Sequence, residues 1–214
     1  MRASIRSMGR GVAAAVLAAA TVSCGDVART GRSPAMVVID ALEAASGADP
    51  GTFGGFLLSD VQTLVDQTID GQTVRVPTIF NDVGQVTVRL VMKDQGAGVT
   101  DVAPSALNAV TLNRYHIEFR RADGRNTPGV DVPYPVDGSV TATISGSAVV
   151  VVPFEMVRHQ AKVEQPLRSL VNFGGRIFIA TIAEVTFYGS DIAGNAVQAS
   201  GTISVNFGDY ADPE

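Results

Sequence analysis

Gln85-Val-Thr-Val-Arg-Leu-Val-Met92 alternates without a break, placing Val86, Val88, Leu90 and Met92 on one face of an extended chain. Side chains leave a strand on opposite faces in turn, so a period of two marks a strand with one face buried and one wet. The same pattern recurs along the chain. Tyr115, Ile117 and Phe119 alternate with His116, Glu118 and Arg120; Val140-Thr-Ala-Thr-Ile144 turns Thr141 and Thr143 outward; Ile203, Val205 and Phe207 close Thr202-Ile-Ser-Val-Asn-Phe207. Ala148 to Val152 and Ile177 to Ile182, the latter broken only by Thr181, are apolar runs that read as strands buried on both faces, with Pro153 ending the first. Ala148 to Val152 is expected at the centre of a sheet, because at an open edge it would invite pairing with another chain.

Met36-Val-Val-Ile39 with Leu42 fits a first strand or, with Ala41, Ala44 and Ala45, one or two helical turns. Gly47, Pro50, Gly51, Gly54 and Gly55 mark a loop. Asp123-Gly124, Asp137-Gly138 and Gly174-Gly175 supply turn signals between the strand segments. Together these features predict one all-β domain, an antiparallel β-sandwich over residues 35–210, followed by a tail at 211–214. A jelly-roll arrangement of the same strands stays open.

The N-terminus reads differently. Arg2, Arg6 and Arg10 precede Gly11-Val-Ala-Ala-Ala-Val-Leu-Ala-Ala-Ala20 with no acidic residue, the charged and apolar parts of a secretory signal over residues 1–23. The apolar run is too short to span a bilayer. Ala20-Thr21-Val22-Ser23-Cys24 resembles the lipobox of bacterial lipoproteins. That resemblance implies cleavage before Cys24, lipid on its sulfur, and a membrane anchor in the cell envelope. Gly25 at the next position implies the outer membrane rather than the inner. Residues 24–34 are polar and aperiodic, as a tether is. Cys24 is the only cysteine, so no intramolecular disulfide can form. Without residues 1–23 the chain keeps 13 basic and 21 acidic residues, a net charge of −8, which argues against nucleic acid as a partner.

Ala183 to Phe207, with the turn Asp191-Ile-Ala-Gly-Asn195 at its middle, resembles the final hairpin of bacterial immunoglobulin-like and fibronectin-type modules. The resemblance implies an immunoglobulin-like sandwich, here with long loops or extra strands because the chain exceeds the ~100 residues usual for such modules. Arg125 to Asp137 is one such loop.

Motifs of catalysis are missing: no H-E-x-x-H, C-x-x-C or G-x-S-x-G occurs, and Gly96-Ala-Gly98 has the look of a turn rather than a phosphate cradle. His116 shares a strand face with Glu118 and Arg120 and reads as a surface residue. Glu155 and His159, four apart, would lie roughly 13 Å apart on a strand, too far to share a proton directly. Calcium seeks six to eight oxygens. Asp123, Asn126, Asp131 and Asp137 on one loop, with Asp191 and Asn195 at the hairpin, are weak candidates that lack the spacing of a calcium loop and double as turn formers. With no Trp, the candidate ligand contacts are Tyr134, between Pro133 and Pro135, and Tyr188, outward if Val185 and Phe187 face in. No cofactor is implied. The leading expectation is a non-enzymatic, lipid-anchored envelope protein that recognises another envelope or surface protein. A small-molecule, glycan or calcium-binding module would need a concave site near Arg125 to Asp137, and a hydrolase would need residues gathered by the fold.

Overall fold

The computed structural model describes residues 31–94 and 102–210. Cys24, the signal segment, most of the tether, Gly96-Ala-Gly98 and the 211–214 tail therefore lie outside the described residues. Ten strands account for most of the rest: β1 (Ala35–Ala45), β2 (Phe56–Asp60), β3 (Thr63–Ile69), β4 (Gln72–Thr78), β5 (Asp82–Met92), β6 (Val110–Arg120), β7 (Val136–Ile144), β8 (Val150–Val157), β9 (Ile179–Asp191) and β10 (Ala196–Gly208). The described helices are short: α1 (His159–Val163) and two 3-10 turns at Ala106–Asn108 and Leu167–Leu170.

The strands form a three-stranded sheet in the order β1-β5-β8, a five-stranded sheet in the order β2-β10-β9-β6-β7, and a two-stranded ribbon β3-β4. All pairings are antiparallel except β2 with β10, which run parallel. This is an all-β arrangement in several sheets, as the alternation predicts, and consistent with a β-sandwich. Val86, Val88 and Leu90 from β5 share one buried cluster with Ile117 and Phe119 from β6 and Val205 and Phe207 from β10. At its centre Phe154 of β8 meets Tyr115 and Phe187 of the other sheet at 5.3 Å between ring centroids in each case, tilted or edge-on. β1 is a strand throughout, its register shifting once between Ile39 and Ala41, so the helical alternative falls away.

Two of the apolar runs fold otherwise than their composition predicts. Ala148 to Val152 is not central: the strand there is β8, at an edge of the three-stranded sheet, with Val149 and Val151 59% and 55% exposed. Pro153 does not end it but sits mid-strand opposite Gln85, where an edge tolerates the missing N–H. The Tyr115 hydroxyl donates to the Glu155 carbonyl at 3.1 Å, so this edge is blunted as well as open. In the second run β9 starts only at Ile179, and Ile177, Phe178 and Ile182 are exposed. In β9 the residues that alternate with the core face start with Ala180 and Ile182, which turn away from the core and stay exposed. Asp137-Gly138 is not a turn either. Both lie within β7, and Gly138 is required because the Tyr115 ring occupies the space of a side chain.

Strand directions give the domain two poles. Ala35 at the start of β1 pairs with Met92 at the end of β5, and the β9–β10 turn lies at this tether pole beside the start of β6. The starts of β5 and β9, the ends of β2, β8 and β10, and the loop between β6 and β7 gather at the opposite, loop pole. At the tether pole the Asp191 carboxylate accepts from the Ala193 and Asn195 amides (3.0 and 2.8 Å) and from Asn195 Nδ2 (2.9 Å), with Gly194 at φ +79° completing the turn. Burial pushes this carboxyl up, but the donors from Asn195 and Ala193 outweigh it and hold it below the ordinary value. Its contribution to stability is therefore present above the unfolded pKa near 4 and lost as pH falls through the lower folded value. Asp191→Ala is expected to cost about 2 kcal/mol at neutral pH. The difference from wild type in urea midpoint should shrink below about pH 4.

Candidate functional site

The loop pole holds most of the buried polar chemistry. Asp82 opens β5 inside the core, and its Oδ1 takes a 2.7 Å contact from Lys162 Nζ and a 2.9 Å hydrogen bond from the Gly47 amide, while Oδ2 accepts from Ser59 Oγ at 2.6 Å. Lys162 is only 1% exposed and Asp82 wholly buried. Burial pushes the Asp82 carboxyl up, against the pull of Lys162, Ser59 and Gly47. Two further buried carboxylates pin the ends of strands. Asp60 accepts from Thr63 Oγ1 and from the Tyr210 amide, and Asp209 Oδ2 accepts from the Asn172 amide at 2.6 Å.

Two adjoining concavities, of about 500 and 440 Å3, lie at this pole. Val163 and Arg168 line both. The first also draws on Lys162, Gln62 and Asn172, the second on Tyr134, Glu164 and Gln165. The segment from α1 through the 3-10 turn at Leu167–Leu170 thus forms their common wall, anchored by buried Leu167 and Leu170.

The 125–137 loop contributes Tyr134 to the second concavity and is built to hold it. Val132 is buried in the core, the Val130, Asp131 and Val132 amides all donate to the Thr127 carbonyl, and the Thr127 amide donates to Asp131 Oδ2. The Tyr134 ring lies against Gly129, in the space a Cβ would need, yet the residue is 55% exposed. Tyr134 is thus a half-open ring on a loop braced from within.

The other candidates are placed apart. Tyr188 is half-buried on the outer sheet face, outward as Val185 and Phe187 face in, but the Arg114 guanidinium lies 4.3 Å from its ring centroid and occupies it. Asp123 is bound by Arg121 and Arg125, Asn126 accepts from the Arg121 amide, Asp131 serves its own loop, and Asp191 and Asn195 serve the hairpin turn at the far pole. Asp137 lies beside His116, 3.1 Å from its Nδ1. Among the described residues no three acidic, histidine or cysteine side chains gather as a metal site. Glu155 pairs with Arg158, whereas His159 takes Asn81 as the partner of both its amide and its Nδ1, so the two are directed to different neighbours.

Sequence reasoning passes over Lys162, Asp82 and Arg168. Lys162 sits in a polar-looking segment, and its carboxylate partner is 80 residues away. It also passes over the β3–β4 ribbon, whose signal is Asp70-Gly71: both residues take positive φ, 52° and 79°, as a two-residue hairpin turn demands. No family model, no curated protein and no solved structure matches the chain.

Proposed function

We propose that this chain is an exported, lipid-anchored protein of the bacterial envelope, more precisely of its outer membrane, with an immunoglobulin-like sandwich that acts as a non-enzymatic recognition module. The observation that carries the recognition reading is the pair of concavities at the loop pole, with Tyr134 held open on its braced loop and Arg168 between them. Ligand sites are concave and combine a few placed polar groups with apolar or aromatic walls. Supporting the immunoglobulin-like type is the strand order. The final hairpin β9-β10 lies beside β6 and then β7 in one sheet, and β1-β5-β8 form the other, as strands F, G, C and C′ lie opposite A, B and E in that fold. The β3–β4 ribbon would then be an insertion before the second strand of the fold.

The anchor is tested by intact-mass analysis of the protein from membranes of its own host. Wild type is expected to begin at Cys24 with an acyl mass increment and to fractionate with the outer membrane. Cys24→Ala is expected to lose the increment and move to the soluble fraction. An unmodified soluble wild-type chain would overturn the anchor.

Recognition of an envelope protein is a second reading, favoured by the ribbon. Val65, Ile69, Val74 and Val76 fall on one of its faces by register, with Ile69 and Val74 exposed. An isolated two-stranded ribbon is marginal in water, and a protein seated on that face would support it.

A further inference from the structure

We propose that the paired concavities form a saccharide site, and that the sugar they take is acidic, a uronic-acid oligomer carrying one carboxylate per ring; this rests on the recognition reading above and names its ligand class. Four observations converge on it.

Tyr134 supplies a flat ring with one side supported by Gly129 and with much of its surface open to the concavity. Such a ring suits the C–H face of a pyranose, and because the 125–137 loop is already hydrogen-bonded to itself, little ordering is required on binding.

Arg168 is the cation that the two concavities share. Arg89, Arg120, Arg121, Arg125 and Arg158 pair with carboxylates, Arg114 covers Tyr188, and Lys162 is neutralised by Asp82. Arg168, by contrast, is exposed and has no carboxylate partner among the described residues, while its planar fork matches a ligand carboxylate.

The rest of the wall suits sugar hydroxyls. Glu164 and Gln165 flank Arg168 on one side, Gln62 and Asn172 on the other, a mixture of acceptors and amides that sugar hydroxyls can satisfy.

Arg168 also stands where the two concavities meet, so successive rings can occupy either side of it. The site therefore has the length for an oligomer rather than a single sugar.

The test is calorimetric titration of the full chain, purified from its host in detergent, with trigalacturonic acid and with neutral galactotriose. The acidic trimer is expected to bind about tenfold more tightly than the neutral one. Arg168→Gln should erase that difference, Tyr134→Ala should weaken both ligands about tenfold, and Tyr134→Phe, which keeps the ring, should bind as wild type. Unchanged thermal midpoints would show that these exposed substitutions leave the fold intact. Equal affinity for the two trimers, with Arg168→Gln inert, would overturn the acidic specificity while leaving a recognition site at Tyr134. Absence of binding by either trimer would overturn the saccharide assignment, while acylation at Cys24 is judged by its own measurement.

Discussion

Lys162→Met is expected to destabilise the domain by about 3–5 kcal/mol at neutral pH, because it leaves the Asp82 carboxylate buried without its counter-charge. The substitution keeps the bulk of the side chain, so the loss reads electrostatics rather than packing. Its pH dependence is the sharper test. Burial already holds the Asp82 carboxyl above its usual range. A group so raised contributes most below its unfolded pKa and less as pH rises through the folded value. Without Lys162 the carboxyl rises further, so the deficit of the variant should be small near pH 4 and grow toward neutrality. Lys162→Met combined with Asp82→Asn should recover most of the loss, since the amide oxygen still accepts from the Gly47 amide and the amide NH2, in the place of Oδ2, donates to Ser59 Oγ. Urea midpoints across pH decide it; a deficit independent of pH, or a double variant no better than the single one, would contradict the buried-charge account.

The second large effect lies in the core. Phe187 is fully buried and meets Phe154 edge-on from the opposite sheet, with Tyr115 6.3 Å away. Phe187→Ala removes one of the two rings that meet Phe154 across the sheets and is expected to cost about 3–5 kcal/mol. Phe56→Ala is the control. The same residue type at the edge of the five-stranded sheet is 60% exposed and should change stability by no more than about 0.5 kcal/mol. Comparable effects at the two positions would mean that the sheets do not depend on this aromatic junction.

The strands that proved legible are those whose alternation is enforced by a core. β5, β6 and β10 each present one face to it, so their period of two is written into the chain. The β3–β4 ribbon has no such partner. Its apolar residues are spread between two exposed strands, and only Asp70-Gly71 betrays it. Composition also misplaced Ala148 to Val152, because apolarity reports burial in general and not position within a sheet; Pro153 was the residue that encoded the edge. Tyr134 stood out between two prolines, yet what surrounds it comes from α1 and the turn after it, some thirty residues on, and no local pattern couples the two.

The separation of the two poles fixes what an anchored molecule could reach. The chain enters β1 at one end of the domain, while Tyr134 and Arg168 stand at the other, the length of an eleven-residue strand away, or about 35 Å. Ser33 is buried and the Pro34 carbonyl accepts from the Lys93 amide, so the reach added ahead of the domain is that of residues 25–30, at most roughly 20 Å. With lipid on Cys24, the concavities could reach up to about 55 Å from the membrane surface. Polymers strung across the space beyond the bilayer would be within grasp of the loop pole.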